Sequence, residues 1–123
     1  MSTKKDNITE MDAMAVAEAE AEASKDIYVH NFATPFSYDG ETYDTLTFNW
    51  GSLTGRDGLA IENELQSQGK PVIIPTLSGE YLIRMACRAC DKPIGSDAFE
   101  VMRLSDYNKI RSSARSFLLK SEL

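Results

Sequence analysis

One histidine and two cysteines are the whole imidazole and thiol supply of this 123-residue chain. A Ser-His-Asp or Cys-His arrangement needs a base beside its nucleophile, so a lone His30 limits catalysis sharply. It sits in a β-favouring run next to Asn31, with no motif around it, and reads as a surface or hairpin residue. Cys87 and Cys90 lie too close together to staple distant parts of a fold, which points to a reducing compartment. Cys87-Arg88-Ala89-Cys90 has redox spacing, yet both thiols fall late in an expected helix, where the dipole opposes thiolate formation. We read them as buried structural thiols. A zinc site would need two more ligands than the cysteines supply, and scattered carboxylates are poor material. No metal, no cofactor and no catalytic residue is therefore expected.

Other absences narrow the field further. The chain has no run of about 18 apolar residues, so nothing in it is expected to span a bilayer. Met1 to Asp6 carries two lysines with no apolar stretch behind them, unlike a secretory signal. The glycine-dense stretch Gly51 to Gly58 lacks both the Gly-Lys-Ser/Thr of a P-loop and a GxGxxG pattern, and reads as a turn from strand into helix. Basic charge is scarce: 13 lysines and arginines face 19 acids, for a net charge of −6 and a pI near 4.7. That balance argues against a nucleic-acid binder and, more weakly, against anionic membrane surfaces. Two carboxylate pairs, Glu62 with Glu64 and Asp39 with Glu41, have no apolar frame that would tune a pKa, so a solvated face explains both.

What is present suggests one α+β domain. Hydrophobic residues make up 42% of the chain, enough for a real core. Residues 1–26 differ from the rest: Met14 to Ala23 alternates alanine and glutamate, and three lysines oppose seven acids. We read a flexible acidic tail, disordered or a fraying helix, ahead of a single compact domain over 27–123.

Within that domain Ile27-Tyr28-Val29 favours strand, and Pro35 should interrupt pairing before Phe36 and Tyr38. Asp39-Gly40 is a strong hairpin signal, because a type I′ turn needs positive φ at both central residues. Leu46, Phe48 and Trp50 alternate with Thr45, Thr47 and Asn49, giving a half-buried strand with one aromatic face. Thr54 to Asp57 resembles a capping box, opening a helix that runs to Gln68 and stops at Gly69, with Ile61 and Leu65 inward. Pro71 to Pro75 is an extended connector. Ser78 caps a mostly buried helix to about Cys90 with Leu82, Met85, Ala86 and Ala89 as its stripe. A short helix from Ser96 to Met102 follows, then a last one capped by Ser105 with Tyr107, Ile110, Ala114, Phe117 and Leu118 inward. The expected architecture is an N-terminal β-hairpin followed by a small bundle of about four helices.

What remains for function is surface. Arg111 and Arg115 lie four residues apart on another face of the last helix, and from Arg103 onward five bases face two acids. They suit an acidic protein surface better than nucleic acid. Trp50 and Phe117-Leu118-Leu119 supply apolar mass that is mostly core, with Leu119 beside the inward stripe as the exposed anchor. Candidate partner-binding residues are thus Trp50, Arg111, Arg115 and Leu119.

The order of these segments resembles a known family. Tyr38-Asp39-Gly40-Glu41-Thr42-Tyr43, Leu46-Thr47-Phe48, Leu53-Thr54-Gly55-Arg56-Asp57, Ser78-Gly79-Glu80-Tyr81, Leu104-Ser105-Asp106-Tyr107 and Ser116-Phe117-Leu118 are similar to segments of phage tail assembly chaperones. These belong to contractile- and long-tailed phages and prophages, including the Mu-like group. The likeness covers about residues 34–119 and leaves out the Ala-Glu tail. It implies a protein that is not an enzyme, engages the tape measure protein, keeps it soluble and helps recruit tail tube subunits. It also implies a location in the host cytoplasm, absence from the finished virion and, for many members, a longer frameshifted form. It carries over no catalytic or binding residue. Two other readings stand beside it: a minor structural tail component, such as a tube or terminator-like subunit, and a thiol redox protein.

Overall fold

The computed structural model describes residues 26–122; the flexible acidic tail expected over residues 1–26 lies outside them, apart from Asp26. A hairpin of β1 (Ile27–Tyr38) and β2 (Glu41–Asn49) comes first, followed by α1 (Gly55–Ser67), α2 (Gly79–Ala89), α3 (Ser96–Glu100) and α4 (Leu104–Ser121). Single 3-10 turns, Trp50–Ser52 and Pro75–Leu77, join β2 to α1 and lead into α2. The expected α+β order of hairpin and four helices is therefore the observed one.

Asp39 and Gly40 adopt φ of 52° and 80°, the left-handed pair that closes a two-residue turn in register with strand twist. Tyr38 pairs with Glu41 and Phe36 with Tyr43, but beyond Phe36 the register changes. Asn31 pairs with Thr45, so β1 holds four residues (Phe32 to Pro35) where β2 holds only Asp44. Pro35 donates no ladder hydrogen bond, and the chain bulges out around it.

The aromatic face of the hairpin lies against the helices. Leu46, Phe48 and Trp50 are buried with Ile61 and Leu65 of α1, Leu82, Met85 and Ala86 of α2, Phe99 of α3 and Ile110 and Ala114 of α4. Phe48 and Trp50 stack with ring centres 5.4 Å apart. β2 is also stitched to the chain just after α2. Asp91 N–H donates to the Thr47 carbonyl at 2.9 Å, and Thr47 N–H donates back to Asp91 Oδ1 at 3.1 Å.

Helix ends follow the local chemistry. Thr54 N–H donates to Asp57 Oδ2 at 2.8 Å, and Ser78 Oγ accepts from Tyr81 N–H at 3.1 Å. Arg88 adds a 2.9 Å contact to Asp57, and these donors together hold the Asp57 carboxyl below its ordinary pKa. Gly69, at φ 74°, follows α1 as its left-handed stop. The last helix departs from expectation by two residues: α4 starts at Leu104 with Arg103 in the cap position, and Ser105 sits in the first turn. Gly79 lets α2 and α4 approach closely, since a Cβ there would meet the Tyr107 hydroxyl at 3.0 Å.

Candidate functional site

The main correction concerns His30, which lies in the hairpin, as expected, but not at the surface. It is 1% exposed and held at both nitrogens. Its Nε2 lies 2.8 Å from Asp106 Oδ1 on α4, and its Nδ1 lies 2.8 Å from the Tyr28 hydroxyl. A carboxylate only accepts, so Nε2 is the nitrogen that carries hydrogen, and in a neutral ring Nδ1 accepts from Tyr28. Phe32 closes the pocket edge-on, 4.7 Å from the imidazole centre.

The order hydroxyl–imidazole–carboxylate has the topology of a nucleophile, a base and its orienting group. The electrostatics run the other way. Burial, and secondarily the charge of Asp106, push the Tyr28 phenol above its ordinary pKa, whereas an activated nucleophile requires a lowered one. The geometry does a mechanical job well, tying β1 to α4 across 76 residues of sequence.

Both cysteines are free and half-buried. Burial pushes Cys87 up to about 12 and Cys90 up to about 11. The thiolate population falls by two to three orders of magnitude, and the greater nucleophilicity of a basic thiolate recovers about half of that on a logarithmic scale. Alkylation by iodoacetamide at pH 8 should therefore be at least ~10-fold slower than for an unstructured cysteine, and denaturant should abolish the difference. Equal rates in the folded chain would return a redox role to consideration. Among the described residues no cluster of three or more His, Cys, Asp or Glu side chains is placed to hold a metal ion.

Of the four residues expected to face a partner, Trp50 is placed otherwise. It is 2% exposed, and its Nε1–H donates to Ser113 Oγ at 2.9 Å, so the indole is a core group linking the end of β2 to α4. Its position on the inward parity with Leu46 and Phe48 already pointed there. Arg111 and Arg115 are half-buried on α4, and Arg115 Nε–H donates to the Thr76 carbonyl at 3.2 Å. Leu119 is 49% exposed, on the open side of the same helix.

The connector between α1 and α2 brings together residues that were not singled out for binding. Ile73 is 91% exposed, and Ile74 and Leu77 are exposed beside it. With Pro71, Val72 and Ser78 they line a shallow groove of about 360 Å³. A run of two isoleucines between two prolines was legible as extended chain, but not as chain without a cover. A second, mainly apolar cleft of about 230 Å³ lies between α1 and the C-terminal half of α4, lined by Ile61, Tyr81, Met85 and Phe117.

Carboxylate–arginine contacts elsewhere are explained by packing. Arg84 is buried and bonds Glu80 and Gln68 Oε1, with Glu64 3.4 Å from its Nε; its guanidinium in turn draws the Glu80 carboxyl below its ordinary pKa. No helix among the described residues is long and apolar enough to cross a membrane. Comparison of the chain with protein-family models, with curated proteins and with solved structures finds no match in any of the three.

Proposed function

We propose that this protein is a phage tail assembly chaperone. In this reading it binds the tape measure protein, keeps that chain soluble and helps recruit tail tube subunits in the host cytoplasm, and it is absent from the finished virion. It makes and breaks no covalent bond. The observation that carries the reading is the bare apolar connector, Ile73, Ile74 and Leu77, on a chain whose net charge of −6 otherwise favours solvent. Grouped exposed apolar side chains of this kind mark contact surfaces for other proteins. The segment order over residues 34–119 supports the more specific assignment. The states of Tyr28 and the two thiols favour binding over chemistry, since burial shifts each of them away from its reactive, ionised form.

The test is co-expression with a candidate tape measure protein, a long chain rich in coiled coil. The proposal expects that protein to move from the insoluble to the soluble fraction and to co-purify with this chain. Unchanged insolubility would end the chaperone assignment. Recovery of this chain from purified virions would favour a structural tail component instead.

A further inference from the structure

Two half-buried arginines and the apolar connector form one surface. Helical spacing aligns Leu104, Arg111, Arg115 and Leu119 along one side of α4, roughly 22 Å from end to end at 1.5 Å per residue. Leu104 and Leu119 are exposed at its two ends. Arg115 reaches the Thr76 carbonyl, and the Arg111 guanidinium carbon lies 3.8 Å from the Cβ position at Gly79. Both arginines are thus laid against the segment that carries Ile73 and Leu77.

Among the described residues no carboxylate balances their charges. Arg84 and Arg88 pair with Glu80 and Asp57, whereas neither Arg111 nor Arg115 is ion-paired among the described residues. Arg111 Nε is in addition buried with no hydrogen-bond partner among the described residues. Apolar side chains would gain from a partner's apolar stripe, and two guanidinium groups at its side would gain from carboxylates. The rest of this acidic chain repels an acidic partner, so a carboxylate-flanked segment is steered to this place and discouraged elsewhere.

We propose that this surface seats an amphipathic helix of a partner protein, about four turns long, whose apolar stripe is flanked by Asp and Glu. The proposal rests on the binding role above and specifies the chemistry of what is gripped. Ile73 and Leu77 enter the partner's stripe, and Arg111 and Arg115 meet its carboxylates.

The test uses the full chain and two fluorescent synthetic peptides of about 18 residues. Both carry leucines at helical i, i+3, i+4, i+7 spacing; one is flanked by glutamates and the other by lysines. The glutamate peptide should bind saturably and the lysine peptide at least roughly tenfold more weakly, a gap that narrows in 0.5 M salt. Ile73→Ser, at a site too exposed to affect folding, should weaken the glutamate peptide by roughly tenfold. Arg115→Glu should reverse the preference between the two peptides, with a single cooperative thermal melt confirming an intact fold despite the lost contact to Thr76. Equal binding of both peptides, or no effect of Ile73→Ser, overturns the proposal. So does a dimer in sedimentation equilibrium that Ile73→Ser dissociates, since the face would then be covered by a second copy. If wild type solubilises the candidate tape measure protein and the Ile73→Ser, Arg115→Glu double variant does so equally well, this surface is wrong while the chaperone reading stands. If wild type itself fails, the chaperone reading falls whatever the peptides do.

Discussion

Asp106→Ala should lower the free energy of unfolding by about 3 kcal/mol, the range seen when one partner of a buried polar pair is removed and the other is left without an acceptor. Alanine leaves His30 Nε2–H buried and facing nothing, while Tyr28 still occupies Nδ1. Asp106→Asn separates two versions of the same contact. The asparagine Oδ1 can accept the Nε2 hydrogen of a neutral ring, so the loss should then be less than half that of alanine. If the ring is an imidazolium, asparagine leaves a buried cation unbalanced and should cost as much as alanine. Urea unfolding followed by tryptophan fluorescence measures both, through the midpoint at constant slope. A loss under about 1 kcal/mol for alanine would mean that the Tyr28–His30–Asp106 line does not clasp the hairpin to α4.

Trp50→Ala should cost about 3–5 kcal/mol, the usual penalty for truncating a fully buried large aromatic. The indole fills the junction where the hairpin meets α4, stacks on Phe48 and donates to Ser113. Trp50→Phe keeps most of the ring and loses the donor, so it should cost about 1–2 kcal/mol. Chemical denaturation with circular dichroism reads both. A near-neutral Trp50→Ala that instead abolished partner binding would restore the indole to the binding surface and contradict its burial.

Much of the architecture was legible because local signals agreed with one another. Asp39-Gly40 named its turn, Ser78 its helix, and Leu82, Met85, Ala86 and Ala89 a face that is indeed buried. His30 was not legible, and the cause is parity. Unbroken pairing outward from the turn would set His30 opposite Asn49, a residue on the outward side of β2. The bulge at Phe32–Pro35 inserts three extra residues, and His30 comes to lie opposite Leu46, whose side chain is buried. An odd shift of register moves every later side chain to the other face. Pro35 announced an interruption but not how many residues it would consume, and that number decides whether the imidazole meets Asp106 or water. The exposed connector was hidden for a different reason: extended chain is readable from prolines, but the absence of anything packed over it is a tertiary fact.

The hairpin's attachments have a consequence for how the chain matures. Two strands alone are only marginally stable in water. The groups that fasten this pair arrive late in synthesis: Asp91 for Thr47, Asp106 for His30, Ser113 for Trp50. Until α4 emerges from the ribosome, Phe48 and Trp50 have only part of their eventual neighbours and stay wetted, a sticky interval in which nascent copies on one polysome can pair wrongly. Slowing translation through the codons for Leu104 to Ser121 lengthens that interval and should therefore lower the soluble yield.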